Sequence, residues 1–330
     1  MRESNQHAIA TLLAAPEPSL HWKVRDLVMA EEPSSLAELR ERIRRSPRVQ
    51  TLLAGVTPGS VYKKWQGAHW VLEALADLGY PPGRSELIPL KDRVLKTWLG
   101  PDYYQEFPAT TKAGTYRGTG VPVLEGRYRR CGSQQGNALR SLVLLGLADD
   151  GAHRLAERLL HWQWPDGGWN CDRNPGADTS SFMETLLPLR GLAAYAEWSG
   201  NATAREAAER AAEVFLERQL FRRRSDGQPM HPDFLRLHYP RYWHYDLLGG
   251  LVAMTEMGLA GDLRCAAALD LLEEKRLPDG GWPAEARFYS VSSEPKNGAS
   301  AVDWGGTNRR RMNPWVTADA LVVLARSGRL

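Results

Sequence analysis

The sequence predicts an all-α fold, an α/α toroid in which inner and outer helices form a double ring. Three observations predict it: helical periodicity over most of the chain, alternation between two kinds of helix, and a turn phrase that recurs at helix ends. Apolar residues return every three or four positions through 35–45, 61–78, 87–98, 133–147, 153–162, 181–198, 202–220, 242–257, 263–275 and 314–326. Runs of β character, 120–124 and 287–291, are short and sit in loop contexts.

The helical segments fall into two kinds. Leu142-Val143-Leu144-Leu145-Gly146 and the stretches 186–194, 247–253 and 320–325 are highly apolar and suit burial on several sides. The segment from Arg205 to Glu213 alternates Arg, Glu and Ala, which suits a helix with one solvated face. Buried and amphipathic helices take turns along the chain, and that alternation closes into a ring of helix pairs. No Ser/Gly-rich linker interrupts it, so residues 1–330 read as a single domain. The first 55 residues are less regular and fit a helical N-terminal extension or a first hairpin of the ring.

The recurring phrase is Gln163-Trp164-Pro165-Asp166-Gly167-Gly168-Trp169, which returns as Arg276-Leu277-Pro278-Asp279-Gly280-Gly281-Trp282. A degenerate third copy, Arg224-Ser225-Asp226-Gly227-Gln228, lies between them. Each copy follows an amphipathic helical stretch. Gly lets the chain leave a helix at positive φ, Asp accepts backbone hydrogen bonds in the turn, and Trp fills the space between helix pairs. These residues mark the scaffold and not the chemistry.

This phrase resembles the QW repeat of squalene and hopene cyclases, whose helix-pair relatives include the catalytic subunits of protein prenyltransferases. The resemblance covers residues 130–330 well and 60–130 loosely, and it implies the same α/α toroid. It also implies an isoprenoid-related enzyme whose cavity takes a small-molecule substrate with an apolar chain and an anionic head. Protonation-initiated cyclases carry a D-x-D-D motif, in which one carboxylic acid is kept protonated by its neighbours. The nearest string here, Leu147-Ala148-Asp149-Asp150, lacks the first carboxylate and leads into a Gly turn. The chain is also short of a two-ring squalene cyclase.

Protein prenyltransferases hold a catalytic zinc through a D-x-C pattern and a His. The resemblance aligns Asp178-Thr179-Ser180 with the first and His244 with the second, so Asp178 and His244 are the implied zinc ligands, with Ser180 in place of the thiolate. The same Asp-Thr-Ser-Ser string is also a helix N-cap signal. As an acid/base set the candidates are Asp178, His244, Glu184 and Asp246. His244 is paired with Asp178 rather than Asp246, because helix positions two apart do not face each other.

In such a ring the loops entering the inner helices line the cavity mouth. They carry Arg127, Arg129, Arg130, Lys64, Arg241, Trp243, Trp304 and Arg309, a mixture that suits a phosphate or carboxylate on an apolar body. Arg222, Arg223 and Arg224 with Arg309, Arg310 and Arg311 form the densest basic runs, and a shared rim would make nucleic acid a ligand. An enzyme acting on acidic glycans, such as a polysaccharide lyase or glycosidase, and a non-catalytic binding protein are the alternative readings.

The totals are those of an ordinary globular chain: 330 residues, 43% hydrophobic, 25% charged, with a net charge of +3. Cys131, Cys171 and Cys265 are odd in number and form no CxxC pair, which argues against a disulfide framework or a closed structural zinc site. The N-terminus makes a poor signal peptide and no apolar run is long enough to span a bilayer, so a cytoplasmic location is expected.

Overall fold

The computed structural model describes residues 3–330, and 52% of the chain is helical. In chain order the helices are α1 (Glu3–Ala14), α2 (Pro18–Trp22), α3 (Ala37–Arg44), α4 (Pro47–Ala54), α5 (Ala68–Asp77), α6 (Ile88–Trp98) and α7 (Pro101–Tyr104). They continue with α8 (Gly132–Leu144), α9 (Asp150–Trp162), α10 (Phe182–Ser199), α11 (Ala202–Leu216), α12 (Leu247–Glu256), α13 (Ala266–Glu274) and α14 (Pro314–Arg326). The runs expected as loops pair into small sheets. β1 (Glu106–Pro108) lies parallel to β2 (Val121–Leu124), β3 (Arg127–Tyr128) lies antiparallel to β2, and β4 (Ser290–Val291) pairs with β5 (Ala299–Ser300). The irregular start of the sequence is helical, forming α1 to α4.

The chain divides into two compact units. Unit 1 joins the residues up to Pro81 with Leu216–Leu330, and unit 2 is Pro82–Phe215.

In unit 2, α8 is buried almost all round, as is the length of α10 from Thr185 to Leu192. The two meet at backbone distance. A Cβ on Gly136 would stand 2.3 Å from the Pro188 nitrogen, and one on Gly191 would stand 2.4 Å from the Gly136 oxygen. Close approach of this kind offsets the roughly 1 kcal/mol that a mid-helix Gly costs. Helix α9 instead buries one stripe, Ala152, Leu155, Ala156, Leu159 and Trp162. Each such Leu contributes about 1.5–3 kcal/mol by leaving water. Asp149 caps α9 through Gly151 N and is itself held by Lys91 at 2.6 Å.

In unit 1, α5, α12 and α14 are largely buried, and α13 shows the one-stripe pattern with Ala268, Leu269 and Leu272 inside. The expected 314–326 helix is α14 itself, with Asn313 Oδ1 accepting from Trp315 N and Val316 N. The expected 242–257 helix starts late, at Leu247, because Asp246 takes the N-cap and accepts from Gly249 N at 2.6 Å. The 61–78 helix likewise starts at Ala68, after Gly67.

Both full turn phrases adopt one geometry. Trp164 N donates to Gly168 O and Gly167 N to Trp164 O; Leu277, Gly281 and Gly280 repeat the pair. Gly167 and Gly280 sit at φ 97° and 82°, where a side chain would be strained. Each Trp indole donates back to the preceding helix, Trp169 to Leu159 O and Trp282 to Leu272 O. Each Trp backbone N–H donates to a Thr of the next buried helix, Thr185 or Thr317. Asp166 accepts from Ser180 N and Oγ, and Asp279 from Met312 N, so each turn also fixes the loop that enters that helix. Gln163 donates to Gly167 O, and Arg276 does the same work at Gly280 O.

Candidate functional site

The densest aromatic surface is in unit 1, where the segment before α12 meets the segment before α5. Trp65 stacks on Tyr242 with ring centroids 3.7 Å apart, and His244 lies between Trp243 at 4.0 Å and Phe288 at 3.8 Å. Trp70 meets Trp65 edge-on at 4.8 Å behind them. Trp65, Trp70 and Tyr242 are buried, whereas Trp243, His244 and Phe288 are half-buried and form the outer face. Tyr242 holds φ 48°, a conformation a tyrosine keeps only when its surroundings impose it. Lys64 Nζ lies 4.9 Å over the Trp243 ring, and among the described residues it has no carboxylate partner. Burial first, then His238 and Lys64, lowers the His244 pKa to about 3, so its ring is neutral. Its Nδ1 is buried without a hydrogen-bond partner.

Behind this face lie two buried polar clusters. In one, Asp246 accepts from His238 N and faces His238 Nδ1 at 2.9 Å, while its other oxygen caps α12. Burial alone would raise the Asp246 pKa, but His238, Gly249 N and Arg241 outweigh it and carry it below its usual value. His238 Nε2 is buried and unpartnered. In the other cluster, Lys23 Nζ bridges Asp77 at 3.1 Å and Asp319 at 3.0 Å, Arg241 bonds Asp319, and Tyr239 donates to Asp77 at 2.5 Å. Arg241, expected at a cavity mouth, is thus spent inside this network, where Asp319 and Asp77 overcome burial and hold its pKa up.

Unit 2 holds a third cluster. Cys131 is the N-cap residue of α8, Cys171 follows the first turn phrase, and Glu184 lies in the first turn of α10. Glu184 accepts from Ser133 N and Oγ on one oxygen and from Cys171 Sγ at 3.3 Å on the other. Neighbouring Arg130 stacks over Tyr103 at 4.9 Å and donates to Gln134. Arg129 is buried, donating to Ala177 O and Leu124 O and lying 4.6 Å from the Trp164 ring, with Arg127 at 5.6 Å on the same ring. These two arginines hold the scaffold. Asp178 is exposed, and the N-cap of α10 is Ser181, so the cap expected of Asp178 is not made.

Of the remaining residues selected from sequence, Trp304 is buried in unit 1 with its indole on Ser300 Oγ, and Arg309, Arg310 and Arg311 are exposed. His244 belongs to unit 1, and Asp178 and Glu184 belong to unit 2. Among the described residues, neither Asp178 nor His244 enters a group of three metal-ligating side chains. Sequence reasoning missed the His238–Asp246 pair, whose eight-residue spacing has no pattern. It also missed the meeting of Cys131 and Cys171, which are far apart in the chain. A groove of about 560 Å³ opens in unit 2 beside Leu95, Lys96, Leu99, Asp149, Arg154 and Trp198, and none of Cys131, Cys171 and Glu184 lines it.

No sequence model of a protein family matches the chain, and no curated protein sequence matches it. No helix among the described residues is long and apolar enough to cross a membrane. Among solved structures, the chain is similar to the type II terpene cyclase MstE from Scytonema, at 15% identity over 99% of this chain and 98% of that one, with a TM-score of 0.45. It is similar to a protein from Actinoplanes at 15% identity over 98% of each chain, with the same TM-score. A variant of the Scytonema cyclase in complex with its substrate, geranylgeranyl dihydroxybenzoate, matches at 14% identity over 99% of this chain and 97% of that one, TM-score 0.45.

Proposed function

We propose that the protein is an isoprenoid-related enzyme of the terpenoid cyclase and protein prenyltransferase superfamily, built as an α/α toroid. The alternating helices and the twice-formed Asp-Gly-Gly-Trp turn support the scaffold. The observation that carries the function is the half-buried aromatic face of Trp243, His244 and Phe288, backed by Trp65 and Tyr242 and overhung by Lys64.

Such a face suits an apolar chain with an anionic head. The rings cover the chain and Lys64 meets a diphosphate head; the C–O bond to that head breaks, its electron pair leaves with the diphosphate, and the π faces stabilise the positive charge left on carbon. The neutral His244 then accepts a proton from the carbon next to that cation. The C–H electron pair becomes the new double bond and the proton goes to Nε2, because Nδ1 is buried. A pKa of about 3 is ample for this, because a carbocation is a far stronger acid. Asp246 acts as a positioning residue through His238, packed edge-on to His244 at 6.2 Å between centroids.

The test is tryptophan fluorescence during titration with a long-chain prenyl diphosphate and with the matching prenyl alcohol. Saturable quenching by both is expected, weakened at least about tenfold by Trp243→Ala, since an aromatic contact is worth roughly 0.5–1.5 kcal/mol beyond its buried area. Lys64→Met should weaken the diphosphate alone. No response to either compound, or an equal response to an acidic oligosaccharide, sinks the reading.

A further inference from the structure

The Cys131, Cys171 and Glu184 cluster in unit 2 is not used by the reaction proposed above and does not depend on it. The two Sγ atoms and a Glu184 carboxylate oxygen all lie within 4.8 Å of one another. All three residues are half-buried, so the cluster is neither sealed in the core nor flush with the surface. We propose that Cys131, Cys171 and Glu184 bind one zinc ion and leave its fourth position to water or an exogenous ligand.

Geometry is the first argument. Zinc takes thiolates at about 2.3 Å and carboxylate oxygen at about 2.0–2.2 Å, which in a tetrahedron spaces neighbouring ligand atoms at roughly 3.3–3.8 Å. The three atoms reach that spacing by closing at most about 1 Å at their widest, within the reach of side-chain rotation alone.

The carboxylate is already oriented for the task. Glu184 Oε2 is taken by Ser133 N at 3.2 Å and Oγ at 2.8 Å, which leaves Oε1 turned to the Cys171 sulfur at 3.3 Å. A ligating carboxylate with its second oxygen held by hydrogen bonds is the usual arrangement around a metal. A purely structural Glu–Ser contact would need neither sulfur.

Donor chemistry selects the metal. Two thiolates with one carboxylate disfavour magnesium and calcium, which take oxygen shells, and suit zinc. Two thiolates, a carboxylate and Zn²⁺ sum to one negative charge. Arg130, whose electrostatic neighbours include Cys131, Glu184 and Cys171, supplies the balancing positive charge beside the site. With only three protein ligands the site is of the open kind, in which the metal polarises what binds fourth. This set shares no ligand with the Asp178 and His244 pair suggested by sequence.

The full-length protein, purified under reductant, stripped with chelator and reloaded with Zn²⁺ alone, should retain about one equivalent per chain by elemental analysis. Loaded with Co²⁺ instead, it should show thiolate-to-metal charge transfer and the intense visible bands of a tetrahedral site, a readout that needs no variant. Cys131→Ser and Cys171→Ser should each lower zinc affinity at least about 100-fold, and Ser133→Ala about 10–100-fold, the range typical of outer-shell partners. Circular dichroism checks the fold of each variant. Cys265→Ser, a buried thiol of unit 1, should bind as the parent does. Finding Cys131 and Cys171 joined as a disulfide with no zinc uptake after reduction overturns the proposal. So does unchanged zinc binding in the folded Cys131→Ser/Cys171→Ser double variant, or cobalt spectra without sulfur charge transfer.

Discussion

His244 and Asp246 sit two residues apart, and the fold separates their acid responses. The ordinary imidazole pKa of 6.5 falls to about 3 at His244. The unfolded chain therefore binds a proton there that the folded chain refuses, and stability falls as pH drops below about 6.5, until the folded value is reached. Asp246 behaves the other way round in cause though not in direction. Its folded pKa lies below 3.8, so the stability it adds is complete above that value and is lost only as pH falls through the lower, folded one. Urea midpoints measured from pH 7 to pH 3 separate the two. His244→Phe, which keeps the stacking on Trp243 and Phe288, should make the midpoint fall less steeply between pH 6.5 and 4, leaving the slope due to buried His69, whose pKa is also lowered to about 3. Should its profile stay parallel to the parent's there, His244 is not the group that resists protonation. Asp246→Ala should cost about 3–5 kcal/mol at pH 7, because it strands Gly249 N and the His238 donors in a dry interior.

At the scale of the element, the turn phrase makes a graded set of expectations. A Cβ at Gly167 would lie 2.4 Å from Arg210 O, and one at Gly280 would lie 2.6 Å from Ser4 O. Gly227 of the degenerate copy has φ 69° but nothing within 4 Å. Gly227→Ala should therefore cost only the left-handed penalty, about 1–2 kcal/mol. Gly167→Ala and Gly280→Ala add a backbone collision and should melt well below it in a thermal scan. Equal melting temperatures for the three would mean that the turns yield freely. These turns and the helix kinds were legible in sequence because φ preference and periodicity are local properties. Thr185 and Thr317 were not, since one Thr inside an apolar helix gives no sign that it faces a Trp N–H sixteen or thirty-five positions earlier. The start of α12 was misplaced for a related reason: Asp246 caps it with one oxygen while distant His238 holds the other. Cys131 and Cys171 became partners through the crossing of α8 and α10 at Gly136, Pro188 and Gly191, which no spacing announces.

For the molecule as a whole, unit 1 is made from both ends of the chain, and the buried charge cluster joins them. Lys23 and Asp77 come from the first segment, and Arg241 and Asp319 from the last. Two cations and two carboxylates make the cluster neutral, and Lys23, Arg241 and Asp319 are each under a tenth exposed. Neutrality, more than any one contact, is what permits four ionisable side chains in so dry a place, since an uncompensated buried charge costs several kcal/mol. Lys23→Met removes one cation and leaves two carboxylates facing Arg241 alone, so it should destabilise by about 3–5 kcal/mol in urea denaturation at pH 7. Asp319→Asn leaves the opposite imbalance and should cost a similar amount. The double variant restores neutrality around Asp77 and Arg241, 3.8 Å apart. It should therefore be more stable than the sum of the single losses by about 1–3 kcal/mol, the coupling expected of residues in one network. Strict additivity would show that the two sites are independent, and that the ends of unit 1 are joined by apolar packing alone.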